Sequence, residues 1–296
     1  MAQAAPAEHR PTPLWHKPPA GISAALQGVK KEISLDNVSL VAAGVAFYLL
    51  LAVFPGLIAF LLIVGLVLDP GEVQQRLGTL TQQLPDEAAT IVTEQTRRIA
   101  ATAGRALTLG LIASIAGALW GASSGMAGLM KGLSIAYDAR PRTFVRQRAV
   151  ALVLTLGAFA FLGVVLGAII VVPVVLTWLP LGGATSALIQ WGRWPILVLS
   201  FLVAAGLLYR FAPNREGPRL SFITPGSLLA TVLWLVGSAL FALYVESFGR
   251  FQQTYGAIAG VIVLLLWLYL TAFVILLGAE LNAEIERQSK AATASA

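Results

Sequence analysis

The apolar run at residues 261–279, "VIVLLLWLYLTAFVILLGA", ends on Glu280, with Glu284 and Glu286 close behind. Carboxyls in such a place could move protons or could mark where a membrane stops. The charge-free stretch from Ala257 to Ala279 is about 35 Å long as a helix, enough to cross a hydrocarbon core of about 30 Å. That length sets Glu280 at or just beyond the membrane edge rather than at its midplane. A carboxylate near a helix C-terminus is disfavoured by the helix dipole, and Glu284 one turn later adds like-charge repulsion. A cation is expected to compensate. Arg142, Arg146 and Arg210 approach the same interface from neighbouring spans, and the expectation is a latch in which one of them bonds Glu280. The plainer alternative is a solvated acid pointing to water.

Other reactive groups are scarce. Both histidines lie in the N-terminal segment, there is no cysteine, and no HExxH, GxSxG or Walker pattern occurs. No catalytic, cofactor-binding or metal-binding residue is therefore assigned, and the chain is not expected to be an enzyme. Hydroxyls such as Tyr48, Ser123, Thr155, Thr231 and Tyr244 are the polar groups inside the apolar stretches. They suit a passage for a neutral or amphiphilic solute, or simple interhelical hydrogen bonds.

The elements that hold these groups follow from composition. Hydrophobic residues make up 57% of the 296 and charged residues 11%, and the mean hydropathy is +0.81, well outside the range of soluble domains. Six stretches are long and apolar enough to span a bilayer: Val38 to Leu68, Ala106 to Met130, Ala149 to Thr177, Trp194 to Phe211, Phe222 to Val245 and Tyr255 to Ala279. The expected fold is an all-α polytopic bundle. Residues 1–36, Pro-rich and without a signal-peptide core, read as a disordered or amphipathic cytoplasmic tail. Residues 37–283 form the six-helix domain and 284–296 a second tail. The outer loop 69–105 carries apolar residues at helical spacing on either side of Pro85, which predicts two short amphipathic helices.

Within the spans, Ala113, Gly117, Gly121 and Gly125 recur every four residues and so share one helix face, the small-residue seam by which membrane helices pack. Gly163 with Gly167, and Gly256 with Gly260, repeat the pattern more weakly. Pro55 and Pro173 interrupt the first and third spans. Each removes an amide donor and is expected to kink its helix, with Tyr48 and Tyr244 bordering a cavity near the bend. A plain kink without a cavity is the alternative.

Most of the twenty basic residues fall in the segments that share a side with the N-terminus. The positive-inside rule then makes both termini cytoplasmic. The net charge of +6 is spread along membrane flanks, which suits anionic lipid headgroups and not nucleic acid. The glycine seam also allows a homo-oligomer.

Four blocks, "LVAAGVAFYLLLAVFPGL", "LWGASSGMAGLMKGLSIAYDARPRTFVRQRAVAL", "PGSLLATVLWLVGSALFALYV" and "YGAIAGVIVLLLWLYLTAFVILLGAELNAEIE", stand in an order that resembles the YihY/virulence factor BrkB family of bacterial inner-membrane proteins. The resemblance covers about residues 25 to 290. It implies a six-helix inner-membrane protein that transports or exports an unidentified solute. Some members have carried a ribonuclease label, generally regarded as a misassignment, and the family brings no agreed catalytic residues. A non-transporting envelope scaffold, or a protein that handles lipid, is the rival reading.

Overall fold

A computed structural model describes residues 22–67, 104–177, 184–215, 221–247 and 257–294. Those residues form seven α-helices and no strand: α1 (Ile22–Leu35), α2 (Val38–Val67), α3 (Gly104–Ala136), α4 (Phe144–Thr177), α5 (Ala184–Phe211), α6 (Pro225–Ser247) and α7 (Ala257–Ala294). Six of them, α2 to α7, are long and apolar enough to cross a membrane. The fold is all-α, as composition requires. Large apolar side chains stay exposed along these helices, among them Leu40, Val153, Val164, Leu240 and Ile258. On a soluble protein so much apolar surface would drive association; on helices of this length and composition it suits a hydrocarbon surrounding.

Part of the segment expected to be a disordered or amphipathic tail is described. Residues 22–35 are helical, and the Pro-rich segment before them lies outside the described residues. The outer loop 69–105 also lies almost entirely outside them. At the other end of the chain, α7 continues well past Ala279 to Ala294. Its charged extension is held by Glu286 to Lys290 at 2.9 Å and by Gln288 to Glu284 at 2.8 Å, both at the i, i+4 spacing that supports exposed helix.

Two ends are shaped by residues at positive φ. Asp138 (φ 50°) closes α3: its amide bonds Ile135 O at 2.9 Å, and the Ala139 amide bonds Ser134 O at 2.8 Å. That pair of bonds is a Schellman cap, here with Asp in the left-handed position that Gly usually fills. Asn37 (φ 50°) turns the chain between α1 and α2, its side-chain amide donating to Leu35 O at 3.2 Å.

The chain packs as two compact groups. One contains residues up to Ala43, Ala127–Ala239 and Leu270 onward; the other contains Gly44–Met126 and Leu240–Tyr269. In the second group α3 lies against α2 along its small residues. A Cβ on Gly121 would sit 3.0 Å from the Ala52 amide nitrogen, one on Gly117 3.4 Å from Pro55, and one on Gly125 3.1 Å from Leu49. At Gly121 the obstacle is backbone, which cannot swing aside.

Candidate functional site

The buried polar groups of the first group begin with the cap of α6. Thr224 precedes Pro225, whose missing amide costs nothing at the first helical position. The Ser227 amide donates to Thr224 Oγ1 at 3.1 Å and the Thr224 amide to Ser227 Oγ at 2.9 Å, a reciprocal cap. Asn282 of α7 completes it. Its Oδ1 accepts the Gly226 amide at 2.8 Å, and its Nδ2 donates to Thr224 Oγ1 at 2.9 Å. All three side chains are buried. The approach requires glycine: a Cβ on Gly226 would lie 1.9 Å from Gly278 O. Tyr209, also buried, donates to Ile275 O at 2.7 Å and so ties α5 to the same stretch of α7.

The same stretch of α7 and the turns after it carry a carboxyl cluster. Glu280 is 1% exposed, and its Oε2 has no donor within hydrogen-bond distance. Arg287 stands at the centre. Its guanidinium lies 3.5 Å from Glu32, 3.8 Å from Glu284, and 3.9 Å from both Asp138 and Glu280, and Nη2 donates to Ala136 O at 3.2 Å. Helix α1 is pressed close, since a Cβ on Gly28 would meet the Glu284 carboxyl at 2.6 Å. Asp36, in the turn between α1 and α2, faces Glu280. Burial pushes the Asp36 carboxyl up, and Glu32 and Asp138 push the same way, while a hydrogen bond with Glu280 and the charge of Arg287 pull it back.

Beside the cluster opens a polar cleft of about 250 Å³, lined by Tyr137, Asp138, Arg140, Arg215, Glu286, Arg287 and Lys290. Arg215 pairs with Glu286 and lies over the Tyr137 ring at 4.7 Å. A second cleft, of about 530 Å³, separates the end of α3 from the start of α4. Its wall is apolar (Ala127, Met130, Ile135, Pro141, Phe144) and its rim cationic (Lys131, Arg142, Arg148). Gln147 Nε2 donates to Ala127 O at 3.2 Å across it. Arg142 is held in place by the carbonyls of Ala212 and Pro213, the latter at 3.2 Å, and Asn214 Nδ2 donates to Arg140 O at 2.9 Å. Burial lowers the Arg142 guanidinium, with Arg146 adding to the shift.

The residues singled out by sequence are dispersed. Arg142, Arg146 and Arg210 do not reach Glu280. Arg142 is drawn to two carbonyls, Arg146 is exposed beside it, and Arg210 lies over the Phe222 ring at 4.4 Å. The cation near Glu280 is Arg287 of the same helix. Of the glycine face, Gly117, Gly121 and Gly125 meet α2 while Ala113 is exposed. Gly163, Gly167 and Gly260 have nothing within 4 Å of an added Cβ. Tyr48 stands edge-on to Trp120 at 6.2 Å, and Tyr244 is exposed and stacked on Phe241. Helix α2 runs through Pro55 without a break. Pro173 falls in a stretch of α4 whose side chains lie outside the described residues. Sequence reading passed over Asn282, Thr224, Tyr209, Asp36 and Arg287. A signal existed for two of them: "TPGS" is a capping pattern, and Glu280, Glu284 and Arg287 share one helix face.

Comparison with known proteins supplies the family. The model of the family described as virulence factor BrkB matches residues 29–296. The ribonuclease-like protein YfkH of Bacillus subtilis (strain 168) is 33% identical over 255 residues, 84% of this chain and 90% of its own length. UPF0761 membrane proteins match over shorter stretches. The Vibrio parahaemolyticus protein VP0125 is 38% identical over 32% of this chain and 30% of its own length, and the Azotobacter vinelandii protein 45% identical over 29% and 21%. No solved structure matches. With six apolar helices and a family match over nearly its whole length, the chain belongs to the virulence factor BrkB family and is a multi-pass membrane protein.

Proposed function

We propose that the chain is a passive or secondary transporter of the bacterial inner membrane, with both termini in the cytoplasm, and that it exports an anionic amphiphile. The observation that carries this reading is the 530 Å³ cleft between α3 and α4. An apolar wall suits a hydrocarbon tail, and three cations at its rim suit a carboxylate, sulfate or phosphate head. The basic residues Arg140 and Arg142 on the α3–α4 connection, with Arg146 and Arg148 in the first turns of α4, favour the cytoplasmic side for the same end. The reading gives the chain no catalytic step. The ribonuclease-like name belongs to YfkH.

The exposed Phe144, which lines the cleft, and its exposed neighbour Val145 favour a second reading, a protein that holds or hands over lipid without moving solute. One experiment separates the two. Metabolites and lipids retained by cells and released to medium are compared with and without the protein, and with Lys131→Ala/Arg148→Ala. Export predicts an anionic amphiphile that accumulates inside in both deficient strains. A change confined to lipid composition favours the second reading, and identical profiles refute transport.

A further inference from the structure

The Glu280 carboxyl is shut off from solvent, yet its Oε2 has no donor. Arg287 Nη2, at 3.9 Å, is beyond hydrogen-bond reach. What does lie within reach is the carboxyl of Asp36. Two ionised carboxylates offer only acceptors and cannot bond each other. One proton between them converts the contact into a short, charge-assisted O–H···O bond and removes a buried, unpaired charge.

The surroundings argue the same way. The titratable and charged groups that act on the pair are Glu32 from α1, Tyr137 and Asp138 from the end and cap of α3, and Arg287 from α7, with Glu284 on the far side of Arg287. Five carboxyls thus surround one guanidinium, which cannot balance them all. A metal ion would relieve the excess, but among the described residues no three such groups converge as ligands. The polar cleft of about 250 Å³ reaches Asp138 and Arg287 and brings water to the edge of the cluster.

We propose that the Asp36–Glu280 pair is a binding site for one exchangeable proton. Because Asp36 belongs to the α1–α2 turn and Glu280 to α7, the proton also joins the two ends of the chain; its loss sets two carboxylates face to face and drives the turn away from α7. Use of this proton as the coupled ion of an exporter rests on the transport reading. Its binding does not.

The test is infrared difference spectroscopy of the full chain in a detergent free of ester groups, titrated from neutral to alkaline pH. The expected result is a protonated-carboxyl C=O band of one group at neutral pH, shifted in D₂O, lost on alkaline titration and absent from Glu280→Gln and Asp36→Asn. No such band in the parent overturns the proposal, as does a band that survives in both folded variants. If neither variant folds, the titration and D₂O shift of the parent band decide. A site filled by sodium or calcium in place of the proton would show no band and a melting temperature raised by that ion, which also overturns it. Proton flux into vesicles holding the protein is read separately: a band without flux keeps the site and removes its coupling role.

Discussion

Asn282 bonds the Gly226 amide and the Thr224 hydroxyl while closed to solvent, and Asn282→Ala would leave the amide without an acceptor. Each buried group stranded in this way costs about 1 to 3 kcal/mol. The variant is expected to melt well below the parent in detergent, and a melting temperature equal to the parent's would show that water replaces the side chain. Asp36 predicts the sign of a pH effect. Its carboxyl is raised above 3.8, so the folded protein binds a proton that the unfolded chain has released. That contribution is complete below 3.8 and fades as pH rises through the raised value. Melting temperature should therefore fall as pH rises above 3.8, and Asp36→Asn should flatten the dependence; a steeper profile in the variant contradicts it. Glu280 was conspicuous in sequence because it ends an apolar run. Its partners were not, because Asp36 and Glu32 come from the far end of the chain and no local spacing records that meeting. Arg287 is two turns along the same face of α7, a spacing that the sequence does record.

The contact of α2 with α3 depends on the absence of a side chain at Gly121, where the Ala52 backbone is the obstacle. Gly121→Leu is expected to separate the two helices and cost about 1 to 3 kcal/mol or more, the range of overpacked interiors. Gly163→Ala, which meets nothing within 4 Å, is the control and should melt with the parent. Equal melting of Gly121→Leu and parent would mean the helices part at no cost. The spans themselves were legible because an apolar run of sufficient length has few alternatives in a membrane protein. Their ends were less so. Helix α4 begins at Phe144 rather than near Ala149, since Arg146, Gln147 and Arg148 are good helix formers that hydropathy alone sets aside. Helix α1 is harder to see in sequence because it follows directly on Pro-rich residues and is only 14 residues long. The four-residue glycine spacing marked a face without saying which helix would meet it.

For the whole molecule the charge pattern predicts topology. The chain has no cysteine, so a single introduced one is an unambiguous label. In intact cells Gly182→Cys should react with a membrane-impermeant thiol reagent and Lys290→Cys should not; the reverse pattern would overturn the assignment of both termini to the cytoplasm. The meeting of Glu32 with Arg287 has a further consequence, in the time during which the protein is made. At about 5 to 20 residues per second, tens of seconds separate the emergence of α1 from that of the end of α7. Throughout that interval Glu32 of α1 waits without its arginine. A chain that stops short of Arg287 has every apolar run complete and still lacks the cation that Glu32 meets, so this contact of α1 forms only after the last span has been made.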